Sequence, residues 1–127
     1  SDADVVCHAL ADALLGAAAL GDIGEHYPDT DPRWRDLDST RLLAEVVALV
    51  AAEGWKPVNA DVIVHAQAPK LGPHKAMIRE NLARLLGVPE SAVNVKAKTG
   101  EHVGPVGRAE AVCCHAVVLI ESSRPGL

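Results

Sequence analysis

Apolar residues recur along this chain at two spacings, helical and strand-like, and the order in which the spacings alternate limits the folds open to it. Val5, Ala9, Leu10, Ala13, Leu14 and Ala17 keep one face at helical spacing. Ser1 and Asp4 have the separation of a capping box, with Asp in place of the usual Glu or Gln. A helix is therefore expected from about Asp2 to Leu20, closed by Gly21. Periodicity then lapses from Asp22 to Asp38, where Gly, Pro and Asp accumulate, and this reads as a long loop. Ser39 is expected to cap a second helix whose buried stripe is Leu42, Leu43, Val46, Val47 and Val50, ended by Gly54.

The apolar run within Val58 to Gln67 suits a strand, broken by Pro69, Gly72 and Pro73. A third helix is expected from about Pro73 to Leu86, with Pro in its first turn and Gly87 at its end. Ala92 to Lys98 alternates like a half-buried strand, Gly100 to Gly107 is Gly-rich, and Ala109 to Ile120 reads as a long strand before a frayed tail. The order α, α, β, α, β, β, without repeat or linker, predicts one α+β domain with helices on one face of a sheet. At 127 residues there is room for one core and not two. Without any Phe, that core is built of Ala, Val and Leu, so helices and sheet must approach closely. The chain starts at Ser1 with a helix at once and has few strands for a sheet. The expectation is therefore a domain spanning 1–127 that lacks N-terminal strands of a longer natural protein.

A formal charge of −5 argues against nucleic acid as a partner. No run has the length of a membrane span. Cys7, Cys113 and Cys114 are odd in number and two are adjacent, which does not look like a disulfide framework and points to a reducing cytoplasm. Cys113, Cys114 and His115 alternate across an apolar strand and read as packing residues.

Four places carry polar groups that suit chemistry. Asp4, His8 and Asp12 fall on one helix face, where an imidazole beside carboxylates suits a metal ligand held by a second acid; an ordinary solvated stripe is the alternative. Asp22 to Asp31 concentrates acids, Gly and hydroxyls that can meet sugar hydroxyls, or form a plain turn. Ala66, Gln67, Ala68, Pro69, Lys70, Leu71 and Gly72 link a strand to a helix, where exposed backbone can read a base edge and Lys70 can neutralise phosphate. Lys98, Thr99, Gly100 and Glu101 place an ammonium, a hydroxyl and a carboxylate in four residues, which suits phosphate with a hard cation or an ordinary β-turn. Arg108 and Glu110, two apart, face one side and can form a structural ion pair.

In this order the blocks resemble 2-C-methyl-D-erythritol 2,4-cyclodiphosphate synthase. Ser1-Asp-Ala-Asp-Val-Val-Cys-His8-Ala-Leu is similar to the family's His-Ser-Asp-Gly-Asp-Val-x-x-His-Ala-Leu. The stretches from Asp12 to Gly24, Tyr27 to Trp34, Ala66 to Lys70 and Val93 to Ala97 match it almost letter for letter. The resemblance covers Ser1 to about Ile120. It implies a homotrimer with active sites between subunits, closing a cyclic diphosphate on a cytidine diphosphate substrate and expelling CMP. It further implies zinc on His8, magnesium or manganese on Glu101, and Thr99 polarising the transition state. Ser1, Asp22, Ile23, Gly24, Tyr27, Pro28, Asp29, Thr30 and Asp31 would wall the methylerythritol phosphate. Ala66 to Gly72 would hold cytidine, Lys98 to Glu101 the diphosphate, and Arg108 would lie near the trimer axis and the substrate region.

Three departures stand out. The family's Asp-x-His pair and the His before Ser1 are not in this sequence. The usual Thr-Thr-Thr-Glu is Lys98-Thr-Gly-Glu101, and Pro105 and Ala109 replace a Phe and a Gly. A binding or assembly module without the zinc strand is the competing class, and a metal phosphohydrolase a third.

Overall fold

The computed structural model describes residues 2–67 and 71–124. Ser1, Ala68, Pro69, Lys70 and the tail residues 125–127 lie outside them. Helix α1 (Asp2–Ala17) is followed by a short α2 (Ile23–His26), α3 (Ser39–Ala52), strand β1 (Trp55–His65), α4 (Lys75–Leu86), β2 (Val93–Lys98), a short α5 (Gly104–Gly107) and β3 (Cys113–Ser122). The expected order holds, with two short helices added inside the stretches read as loops.

The strands form one mixed sheet in the order β2-β1-β3. β1 runs parallel to β2, with His65 opposite Lys98, and antiparallel to β3, with Val64 opposite Cys114. The crossover between the parallel strands is α4, which sits on β2. α1 lies across β3 and against α3. Alternation then sorts the side chains. Ala60, Val62, Val64, Val93 and Val95 point into the helices with Leu10, Leu14, Leu43 and Val46, all of them buried. None of these is larger than Leu, so the close approach expected of a core without Phe is what the fold shows.

Several boundaries differ from the sequence reading, each for a local reason. α1 stops at Ala17 because Ala19 adopts φ 58° and Gly21 φ 85°, left-handed conformations that turn the chain away. Asp38, not Ser39, caps α3: its carboxylate accepts from the Thr40 N–H, while buried Ser39 donates its hydroxyl to Asp4. Val47 is half-buried at the edge of its stripe. β3 begins at Cys113 rather than Ala109, since Ala109 at φ 59° ends the turn after α5, and it continues through Ser122. β1 starts earlier, at Trp55, and a register shift between Pro57 and Asn59 accommodates the proline, which has no N–H for the ladder.

Cys113 and His115 are not packing residues. They lie exposed on the sheet face away from the helices, and only Cys114 turns inward, half-buried. On that outer face Val117 is 72% and Leu119 55% exposed. Beside β2 the same face is polar, with Asp61 accepting from Lys96 Nζ at 2.7 Å and Asn94 Nδ2 at 3.1 Å.

Candidate active site

Two hollows open at the same end of the sheet, where β1 and β2 finish and β3 begins. The first, of about 530 Å³, is lined by Val5, His8, Ala9, Asp12, Asp22, Ile23, Gly24 and Cys114. His8 is presented by the regular geometry of α1. Its Nδ1–H donates to the Asp4 carbonyl at 2.8 Å, and because that partner only accepts, the proton is on Nδ1 and the Nε2 lone pair faces outward. The orienting group is thus backbone, not one of the flanking carboxylates that the spacing offered: that of Asp4 accepts from Ser39 of α3. Asp12, one turn on, accepts from the Ile23 N–H at 3.0 Å, tying the loop back to α1. Asp22 caps α2 by accepting from the Glu25 N–H at 2.9 Å. Burial pushes the Cys114 thiol up to about 11, so this wall of the hollow is an uncharged thiol.

The second hollow, of about 280 Å³, is lined by Ala66, Leu71, Gly72, Pro73, Lys75, Ala97, Lys98 and Thr99. Two segments distant in sequence form it, because the parallel pairing sets the end of β1 beside the end of β2. The Ala66 N–H donates to the Lys98 carbonyl at 2.9 Å, one step beyond the strands. Past Lys98 the chain folds tightly. The Glu101 N–H donates to Thr99 Oγ1 at 3.2 Å, and both Glu101 (φ 53°) and His102 (φ 62°) are left-handed. Gly100 and Gly107 permit this fold. A Cβ on Gly100 would stand 2.3 Å from the Gly107 nitrogen, and one on Gly107 would stand 2.5 Å from the His102 carbonyl carbon. Glu101 itself is exposed.

The remaining expected site residues are spread more widely. Tyr27 packs edge-on against Trp34 at 5.1 Å between ring centres, and burial raises its phenol pKa, with Glu45 adding to the shift. Asp31 is engaged internally: Arg33 Nη2 reaches it at 2.8 Å, and this bond holds its carboxyl below the usual range. Pro28 is half-buried and its carbonyl accepts from the Asp31 N–H at 3.0 Å, while Asp29 and Thr30 are exposed. Arg108 donates to Glu110 at 2.8 Å, the ion pair read from their spacing, although both precede β3. Ser1, Ala68, Pro69 and Lys70 lie outside the described residues. Sequence reasoning did not single out Lys75, in the wall of the second hollow, or His102 in the turn. Lys75 follows Pro73 and His74 just where a helix was expected to begin, which is the one signal available for it.

The YgbB family profile matches residues 1–121. The chain belongs to that family. It is 54% identical over 123 residues to the 2-C-methyl-D-erythritol 2,4-cyclodiphosphate synthase of Chlorobaculum tepidum, an alignment covering 97% of this chain and 78% of that one. Among solved structures, a 2-C-methyl-D-erythritol-2,4-cyclodiphosphate synthase in a form bound to CDP superposes with TM-score 0.83 at 43% identity, covering 91% of this chain and 74% of that chain. The bifunctional IspDF of Campylobacter jejuni superposes with TM-score 0.88 at 42% identity; 93% of this chain is covered, but only 32% of that longer one. The family recognised in the sequence blocks is therefore the one to which the chain belongs. Its YgbB fold here is the α+β layer of helices on a three-stranded sheet.

His8 has the chemistry of a metal ligand, with one nitrogen fixed and the other outward. Zinc needs about three protein ligands. Among the described residues, no group of three or more His, Cys, Asp or Glu side chains is placed to hold a metal ion. His8 thus fits as one ligand, and the described residues do not make a complete zinc site. No helix among them is long and apolar enough to cross a membrane.

Proposed function

We propose that this chain carries out the metal-dependent cyclisation of 4-diphosphocytidyl-2-C-methyl-D-erythritol 2-phosphate to 2-C-methyl-D-erythritol 2,4-cyclodiphosphate. CMP is released, and the enzyme is a phosphorus–oxygen lyase of non-mevalonate isoprenoid precursor synthesis. The carrying observation is 54% identity over 97% of the chain to a synthase of that name. An oxygen of the 2-phosphate attacks the β-phosphorus, the bond from that phosphorus to the bridging oxygen breaks, and CMP leaves with the oxygen.

The second hollow, lined by Ala66, Leu71 and Gly72, takes the cytidine end in this reading, and backbone groups of the segment Ala66, Gln67, Ala68, Pro69, Lys70, Leu71 and Gly72 would read the base. A relative's CDP-bound structure supports a nucleotide diphosphate as the ligand class. Thr99 Oγ1 accepts from the Glu101 N–H, so the hydroxyl proton is free to donate to a phosphate oxygen as charge builds there. Lys98 adds positive charge beside the diphosphate. His8 would be one ligand of zinc and Glu101 would hold magnesium or manganese; bound cations would lower the repulsion between the two phosphates. Ser1, Asp22, Ile23, Gly24 and Tyr27 to Asp31 wall the methylerythritol phosphate.

In this reading the active site is completed between copies in a homotrimer. The exposed Val117 and Leu119 support burial of the outer sheet face there, with Arg108 near the axis. A cytoplasmic setting accords with three free thiols. The test is CMP release from intact protein with and without a chelator. Metal-dependent release is expected; no release at saturating divalent cation defeats the reading.

A further inference from the structure

The turn that presents Thr99 and Glu101 is held by a side chain from another segment. Gln67 lies two residues past the end of β1, and Gly100 two residues past the end of β2. Extending the parallel register from His65 opposite Lys98 sets Gln67 beside Gly100. There the backbone ladder stops, and the Gln67 carboxamide continues it. Its Oε1 accepts from the Gly100 N–H at 3.1 Å and from the His102 N–H at 3.3 Å, using both lone pairs of one oxygen. Glu101, between those donors, is one of two successive non-glycine residues with positive φ. Such a pair persists only where surrounding bonds over-determine it. Gly107 packs beneath the turn but offers it no side chain, so the Gln67 oxygen is the side-chain acceptor that ties residues 100 and 102 to the end of β1.

We propose that Gln67 is a positioning residue: its side-chain carbonyl fixes the 99–102 turn and thereby aims the Thr99 hydroxyl and Glu101 carboxylate at the mouth of the second hollow. Gln67 thus couples the loop at the base-binding end to the turn at the diphosphate end, rather than reading the base with its own amide. The consequence for turnover rests on the cyclisation proposed above; the clamp itself does not.

The test compares Gln67→Leu, which removes the acceptor at similar size, with Gln67→Glu, which keeps an oxygen for both N–H groups. Intact protein is used throughout. For Gln67→Leu, hydrogen exchange at the Gly100 and His102 amides should quicken by about ten-fold, the scale of a lost hydrogen bond, while the helices keep their protection. The kcat for CMP release should fall on the order of a hundred-fold, as expected when reacting groups are misplaced by about an ångström. CDP affinity should hold. Gln67→Glu should recover the amide protection and most of the kcat. Unchanged exchange at both amides in Gln67→Leu overturns the clamp. So does loss of CDP affinity in both variants with kcat retained, which is the signature of a base contact. A general loss of protection across the helices, with kcat and CDP affinity falling together, assigns Gln67 a merely structural role and also overturns it. If wild-type protein releases no CMP, the proposed activity fails, and the exchange measurement still decides the clamp.

Discussion

In the proposed reaction His8 and Glu101 would each have to hold a donor atom at a fixed place, and their surroundings differ in kind. His8 sits mid-way along α1, and the preceding turn of the same helix supplies the Asp4 carbonyl that orients its ring. Every constraint on it is local. Glu101 sits in a turn with two left-handed residues, close-packed on Gly107 and tied by Gln67 from across the sheet. Its constraints come from three segments. A helix-borne ligand should therefore tolerate changes elsewhere, whereas a clamped turn should be sensitive to each of its supports.

The largest effect is expected at the turn's own carboxylate. Glu101→Gln should lower CMP release by roughly three orders of magnitude or more while circular dichroism stays that of the parent, the scale expected when a principal electrostatic group is lost. Wild-type turnover in that variant would remove the carboxylate from the reaction. Next comes Gly107→Ala, whose new methyl would press on the His102 backbone. Forced backbone movement should cost about 1–3 kcal/mol in denaturant unfolding and depress turnover with it. Unaltered stability and rate would show that the turn yields, contrary to the contrast drawn with α1.

On the helical side, effects should be milder. Asp12→Ala releases the Ile23 N–H and should raise KM about five-fold with kcat kept, the scale of one lost hydrogen bond. A collapse of kcat would mean that the first hollow is as tightly coupled as the turn. The smallest effect is expected on the outer face, away from both hollows. Lys96, and then Asn94, hold the Asp61 carboxyl below its usual range. That pairing stabilises the fold above the ordinary carboxylate pKa of 3.8 and loses its contribution as pH falls through the depressed value. Asp61→Asn should therefore narrow the stability difference between neutral and acidic solution, read by denaturant melts at both; an identical pH profile would discount the pair.

Much of this was legible from residues alone. The apolar stripes of α1 and α3, Gly87 closing α4 in a left-handed conformation, and the alternation in β2 all follow from spacing. The blocks around His8, Ala66 and Val93 were legible as a family resemblance because each is continuous in sequence. What misled was competition among polar neighbours. Asp38 and Ser39 can each cap a helix, and the choice fell to Asp38 because Ser39 is buried against Asp4. Cys113 and His115 alternate as a strand requires, but alternation does not say which face will be covered.

By itself, the sequence determined the longer elements, their order, a core without large aromatics and the family, since these depend on periodicity and on contiguous residue types. Tertiary structure alone decided that the ends of β1 and β2 share one hollow, that the Asp4 carboxylate serves Ser39 rather than His8, and that Gln67 grips the turn on both sides of Glu101. These depend on distances between segments more than thirty residues apart in the chain. Such distances arise only when strands pair and helices pack, and no local pattern encodes them.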